Sequence, residues 1–281
     1  VDSAGQIAPA RTGRTVIEYS IRPIPEGDGL AATITLNRPS ELNAITWEMI
    51  HEIDAAITET EGNEEIRCLF VTGNGRAFSA GGDLKKYISL QRDPIEFPKF
   101  VADLHTTFGR LRQLRVPVVA LVNGITAAGG LELLLNCDVA IAASSATIGD
   151  CHLNFGQMGG GGVLTLLPRL VGLQRAFELI MTGQFLTADV AASWGLVSKV
   201  VADDDLAESG IRFAQEVAKK GSLAVANAKD IMNTIWAERI GLSAGLHLER
   251  DRNTYYCLTS DDAQEGLIAF SEKRRPKFRG R

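Results

Sequence analysis

The stretch VPVVALVNGITAAGGLELLLNCDVAIAASSATIGDCHLNFGQMGGGG, residues 116–162, runs through apolar residues to a Gly129-Gly130 pair and then a lone carboxylate, Glu132. Leucines occupy 131, 133, 134 and 135 around it. A charge in such a run is aimed into a cavity or is poorly tolerated. Further on come the triplet Asp150-Cys151-His152 and four glycines ending at Gly162. A helix start leaves backbone N–H groups unpaired, and its dipole favours an anion. Set beside a carboxylate, it can hold a developing oxyanion while a proton moves. Glycine-rich helix starts also serve close packing, and a first-turn acid can simply complement the dipole. The residues alone leave both readings open.

Outward from this stretch, strand and helix patterns alternate. Residues 16–23 and 31–37 predict a hairpin across the turn-rich PEGDG at 25–29. The segment 46–62 has helical spacing, with Met49, Ile53, Ala56 and Ile57 on one face and Gly62 as the stop. A strand at 67–73, a glycine loop at 73–83, a helix at 101–115 and a strand at 116–124 lead to the helix of Glu132. A buried strand follows from Asp138. After the glycines we expect a helix at 173–183 closed by Gly183, a short helix capped by Thr187, and a strand at 196–201. From 205 onward every segment reads as helical. The expected organisation is a loose tail at 1–14, a β/α core at 15–204 and an all-helical region at 205–281.

Composition narrows the function. A chain of 281 residues with 45% hydrophobic and 22% charged content is an ordinary globular protein able to build one large core. The net charge of −5 argues against general nucleic-acid binding. The apolar run from Val116 to Ala143 is broken by Asn123, Glu132, Asn136 and Asp138, too polar for a membrane span. The N-terminus has no charged-then-apolar signal pattern. Cys68, Cys137, Cys151 and Cys257 show no CxxC pairing and predict free thiols in a reducing compartment, the cytoplasm or, in a eukaryote, the mitochondrial matrix. Four scattered histidines predict no metal site. Cys151-His152 as nucleophile and base is disfavoured, because adjacent side chains seldom point at one another.

Five blocks in order carry a resemblance: LNRPSELNAIT (36–46), AFSAGGDLKKY (77–87), NGITAAGGLELLLNCDVAIA (123–142), TGQFLTADVAASWGLVSKVV (182–201) and AFSEKRRPKFRGR (269–281). With them the chain resembles the enoyl-CoA hydratase/isomerase (crotonase) superfamily over nearly its whole length. The resemblance implies an α/β crotonase fold, a spiral of β-β-α turns with an all-helical C-terminal region that packs homotrimers, often paired as hexamers. It implies an acyl-CoA thioester as substrate, coenzyme A being part of that substrate, with no further cofactor, no metal, no nucleic acid and no membrane.

The site residues follow from the same resemblance. Backbone N–H groups of Gly82 and Gly129 are expected to form the oxyanion hole, and Glu132 matches the family's first catalytic glutamate, which activates water. The second glutamate falls on His152, where imidazole can do acid–base work; a structural histidine is the equal alternative. Asp150 is a candidate to orient it, and Gly160 offers no carboxylate. CoA is expected against Leu42, Ala44, Ala80, Gly81, Asp83 and Leu84, with Phe270 and Lys273 of the tail covering the nucleotide, either in their own chain or in a neighbouring subunit. Lys85, Lys86, Arg274, Arg275 and Lys277 supply cations for the phosphates; a merely solvated basic terminus is the alternative. Ser40 stands where relatives can carry a CoA-contacting lysine. The expected reaction is addition of water to an α,β-unsaturated acyl-CoA, making the protein a hydro-lyase. Isomerisation, C–C or thioester hydrolysis through the same enolate, and a non-catalytic RNA-binding member of the fold are the alternatives.

Overall fold

The computed structural model describes residues 15–281; the tail at 1–14 lies outside them. The predicted hairpin is β1 (Ile17–Pro23) against β2 (Leu30–Leu36), antiparallel in register Ile17↔Leu36 to Pro23↔Leu30. Helix α1 (Trp47–Gly62) starts where the side chain of Thr46 accepts from the Met49 N–H, and its buried face includes Met49, Ile53, Ala56 and Ile57, as the spacing predicted. Next come β3 (Ile66–Gly73), β4 (Ala77–Ser79), α2 (Leu84–Leu90) and α3 (Glu96–Gln113). Then follow β5 (Val118–Val122), β6 (Ile125–Ala127), α4 (Gly129–Leu135), β7 (Val139–Ala143) and β8 (Thr147–Gly149). A 3-10 turn (His152–Phe155) leads to α5 (Val163–Val171), α6 (Leu173–Thr182), β9 (Phe185–Thr187), α7 (Ala188–Ser193) and β10 (Lys199–Val201). Helices α8 (Leu206–Ala218), α9 (Ser222–Ala237), α10 (Leu242–Thr259) and α11 (Asp261–Ser271) complete the chain.

Two sheets organise the core. One runs β1-β2-β3-β5-β7-β10, parallel beyond the first hairpin; the other runs β4-β6-β8-β9. Strands β3, β5 and β7 of the first sheet are each followed within a few residues by a short strand of the second, then by helix: β3-β4-α2/α3, β5-β6-α4, β7-β8-α5/α6. This is the β-β-α spiral. The parallel strands β5 and β7 are buried on both faces, which is why they read as continuous apolar runs. Helix α8 lies against β3, β5 and β7, with Gly210 set close to Phe70 and Leu121, so the first of the C-terminal helices belongs to the core packing. By contrast α10 buries only Gly245.

The structure adds to the sequence reading in several places. The loop at 73–83 contains β4, and β6, β8, β9, α2 and α5 were not foreseen. Strands of three residues carry no alternation to detect. Among the described residues all four cysteines are free, and no helix is long and apolar enough to cross a membrane.

Candidate active site

Helix α4 begins under strain. Ala128, a non-glycine residue, holds φ 48° and ψ −118°, a sparsely populated conformation of the kind that costs about 1–3 kcal/mol. Beyond it Gly129 and Gly130 divide the two readings of the glycine pair between them. A Cβ at Gly130 would lie 2.2 Å from the Ser79 carbonyl oxygen, so this glycine lets α4 pack onto β4. Gly129 faces a cavity of about 370 Å³. Among the described residues its N–H has no hydrogen-bond partner.

The second loop is shaped by pairing. Residues 42–45 zip to 80–83 through Ala80 N–H to Leu42 O (2.9 Å), Ile45 N–H to Gly81 O (2.7 Å) and Asp83 N–H to Ile45 O (3.0 Å). The Gly82 N–H between them is left without a partner among the described residues. Gly81 holds φ +97°, and any Cβ there would strike Ala128 Cβ at 2.8 Å, so only glycine lets the two loops approach. A Cβ on Gly129 would sit 3.7 Å from the Gly82 nitrogen. Two free N–H donors from separate loops therefore meet at one wall of the cavity.

Glu132 is 1% exposed, one turn into α4. Its Oε1 accepts from the N–H of Gly161 at 2.7 Å and of Val163 at 3.3 Å, which leaves Oε2 3.9 Å from His152 Nε2. Burial pushes its carboxyl above the ordinary carboxylate range, against the opposing pull of His152 and the two N–H groups. Two of the four glycines, Gly159 and Gly161, are its cradle. A Cβ at Gly159 would lie 2.6 Å from Oε1, and one at Gly161 2.8 Å from Oε2.

His152 follows β8 directly, after Cys151 in a left-handed turn (φ 59°). Its Nδ1 pairs with Asp150 Oδ1 at 2.8 Å, and Asp150 is itself 1% exposed. Burial disfavours the imidazolium, but Asp150 and Glu132 together outweigh it and hold His152 above the usual imidazole range. Asp150, His152 and Glu132 thus form a chain of acid–base groups that reaches the cavity shared with the two free N–H donors. Cys151 lines the same cavity, but its thiol is pushed up by burial and by Asp150, which disfavours it as a nucleophile.

The cavity brings together Gly82, Gly129, Glu132 and His152 with Leu42, Ala80 and Leu84. Ala44, Gly81 and Asp83 do not line it. The Asp83 carboxylate is tied to Arg38 Nη2 at 2.8 Å and caps α2 at Lys86, a structural use that the sequence reading missed together with Arg38. Phe270 and Lys273 are also absent from the cavity wall of their own chain, and Phe270 is 84% exposed. Arg274 already pairs with Glu265 and Glu272, and Arg275 with Asp28, so two of the expected phosphate cations are engaged elsewhere. The far wall, Tyr87, Phe100 and Leu104, is aromatic and apolar. Tyr87 packs edge-on against Phe97 and Phe100. Among the described residues no cluster of His, Cys, Asp and Glu could hold a metal ion.

A spiral of β-β-α turns thus sets two free N–H donors beside a buried carboxylate, an arrangement able to hold developing negative charge next to an acid–base group. Comparison with known proteins identifies the family. The sequence profile of the enoyl-CoA hydratase/isomerase family matches residues 26–281. A probable enoyl-CoA hydratase of Mycobacterium bovis is 36% identical over 90% of this chain and 96% of its own length. A short-chain-enoyl-CoA hydratase of Clostridium acetobutylicum is 34% identical over 90% and 95%. The crystal structure of an enoyl-CoA hydratase from Bacillus anthracis superposes with a TM-score of 0.86 at 34% identity, covering 94% of this chain and 99% of that one. The chain belongs to the enoyl-CoA hydratase/isomerase family.

Proposed function

We propose that the protein is an enoyl-CoA hydratase, a hydro-lyase that adds water across the α,β double bond of an acyl-CoA thioester. The observation that carries this is the placement of Glu132, one oxygen anchored by Gly161 and Val163 and the other free, in the same cavity as the unpaired N–H groups of Gly82 and Gly129. In this reading Glu132 Oε2 takes a proton from water as its oxygen bonds to the β-carbon. The π electrons move toward the thioester oxygen, where Gly82 and Gly129 hold the enolate. One such donor is typically worth about 10²–10³ in rate. The α-carbon then takes a proton from the imidazolium of His152, a form that Asp150 favours and orients. Glu132 Oε2 and His152 Nε2 stand 3.9 Å apart, beyond direct hydrogen-bond reach, so the proton gained by Glu132 returns to His152 by way of solvent entering the cavity after product leaves, closing the cycle. Substrate and product differ by one water, so the chemistry calls for no redox group and no cofactor beyond the CoA carried by the substrate.

CoA enters along Leu42, Ala80 and Leu84. The exposed apolar residues of the C-terminal helices, among them Leu246, Leu258, Leu267 and Phe270, support assembly into a homotrimer or hexamer, in which Phe270 and Lys273 reach a neighbour's nucleotide. The free thiols support a reducing compartment, the cytoplasm or, in a eukaryote, the mitochondrial matrix. The test of the catalytic reading is Glu132→Gln. Glutamine keeps the oxygen that accepts from Gly161 and Val163 but cannot take the proton, so hydration of crotonyl-CoA should fall roughly 10²–10⁴-fold with the fold intact. Undiminished hydration by this variant overturns the assignment of Glu132.

A further inference from the structure

We propose that a second cleft, which shares the Gly159–Gly162 loop with the acyl cavity, is a binding site for a multivalent oxyanion, a phosphate ester or a polycarboxylate. The cleft, about 630 Å³, lies between α3, α5 and α9, and Gly161 and Gly162 contribute to its wall. Arg112, Arg115 and Arg169 line it. Among the described residues the guanidinium groups of Arg112 and Arg169 have neither an ion-pair nor a hydrogen-bond partner. Both instead stand over the ring of Trp236, at 5.1 and 6.0 Å from its centroid. Burial and the neighbouring Arg169 charge disfavour the Arg112 cation, with Asp138 acting the other way.

A second, independent sign lies in the same wall. Among the described residues, the one buried side-chain nitrogen or oxygen without a hydrogen-bond partner is Arg115 Nε. A buried donor left unpaired is destabilising unless something satisfies it. The acids nearby do not supply that partner: Asp138 is taken by Lys229 at 2.6 Å and Asp230 by Arg252 at 3.0 Å, leaving Glu238 as the carboxylate of the wall without an ion pair. Arg112 and Arg169, with open donor edges, and Arg115, whose Nη2 donates to the Asn63 carbonyl at 2.6 Å, form a local excess of positive charge in a chain of net charge −5. A multivalent oxyanion matches the planar forks of guanidinium groups, relieves their mutual repulsion and is of a size that the cleft admits.

The test is calorimetric titration of the full chain at low salt with inorganic pyrophosphate and, separately, citrate. At least one probe should bind saturably, and Arg112→Gln and Arg169→Gln, each checked for an unchanged thermal melt, should weaken it about tenfold or more. Tighter pyrophosphate binding assigns the site to phosphate esters, and tighter citrate binding to polycarboxylates. Absence of saturable binding of either probe, or binding unchanged in both folded variants, overturns the proposal. Because the readout is binding, its failure is distinct from failure of the hydratase reading.

Discussion

Replacing Gly161 by alanine tests whether the glycine loop positions the carboxylate. Gly161 holds no positive φ, so alanine can adopt its backbone, and the added methyl is the whole perturbation. That methyl carbon would sit 2.8 Å from Glu132 Oε2, 3.0 Å from Cδ and 3.1 Å from Cβ. Ordinary contact begins near 3.4 Å, so the carboxylate must retreat by ~0.6 Å or the loop must lift by as much. Glu132 has little room to yield, being 1% exposed among packed leucines. A misplacement of about 1 Å can cost on the order of 10² in rate, so kcat for crotonyl-CoA hydration should fall about tenfold to a hundredfold. Gly161 is not part of the acyl cavity wall, and KM should change much less. Overpacking costs roughly 1–3 kcal/mol, offset by about 0.4–1 kcal/mol from stiffening the unfolded chain, so the protein remains folded with a lower Tm. Steady-state kinetics beside a thermal melt reads both quantities. Wild-type kcat in a folded Gly161→Ala protein would refute the cradle.

The acid–base pair gives predictions of its own. His152→Gln should lower turnover and remove an ionisation from the pH–rate profile, whereas Asp150→Asn should keep that ionisation but move it to lower pH, since the Asp150 bond raises it. A profile identical in both variants makes His152 structural. Glu132 and His152 both have folded values above their ordinary ones. Each therefore adds stability that is complete in acid and is lost as pH rises through its folded value. Glu132→Gln should remove the carboxylate's share of that loss and be at least as stable as wild type near neutral pH, measured by urea unfolding across pH. A Glu132→Gln protein less stable than wild type at neutral pH would count against the cost of the buried charge. Lys229→Met leaves the Asp138 carboxylate and the carbonyls of Leu111 and Val116 without their buried ammonium, and should cost about 3 kcal/mol in urea unfolding. A loss below about 1 kcal/mol would mean that the pair is solvated.

One charge in a run of leucines just after a glycine pair singled out Glu132 and Gly129 but left packing and function both open; the resemblance chose between them, and the structure sets both residues on one cavity. Helices α1, α6 and α7 were legible because Thr46, Thr187 and Gly183 cap them with ordinary local chemistry. The second sheet was not, since β4, β6 and β8 are three residues each and gain their identity by pairing with one another. Gly159 and Gly161 looked like turn residues; their closeness to a carboxylate nearly thirty positions earlier in the chain is a tertiary fact. The relation of His152 to Asp150 was only a candidate in the sequence. It took the left-handed turn at Cys151 and the packing of α4 to set one imidazole nitrogen on Asp150 and the other near Glu132. Phe270 and Lys273 were read as nucleotide contacts, but a linear motif does not say whose nucleotide, and in one chain they stand away from the cavity.

Addition of water across the double bond through an enolate is the central step, and isotope labelling tests it directly. Crotonyl-CoA incubated with the protein in ¹⁸O-enriched D₂O, then analysed by mass spectrometry and NMR, should give 3-hydroxybutyryl-CoA with ¹⁸O on the β-carbon and one deuterium on the α-carbon. Glu132→Gln should form it far more slowly. A migrated double bond without added oxygen, a released acid or free CoA, or unchanged substrate would contradict the account.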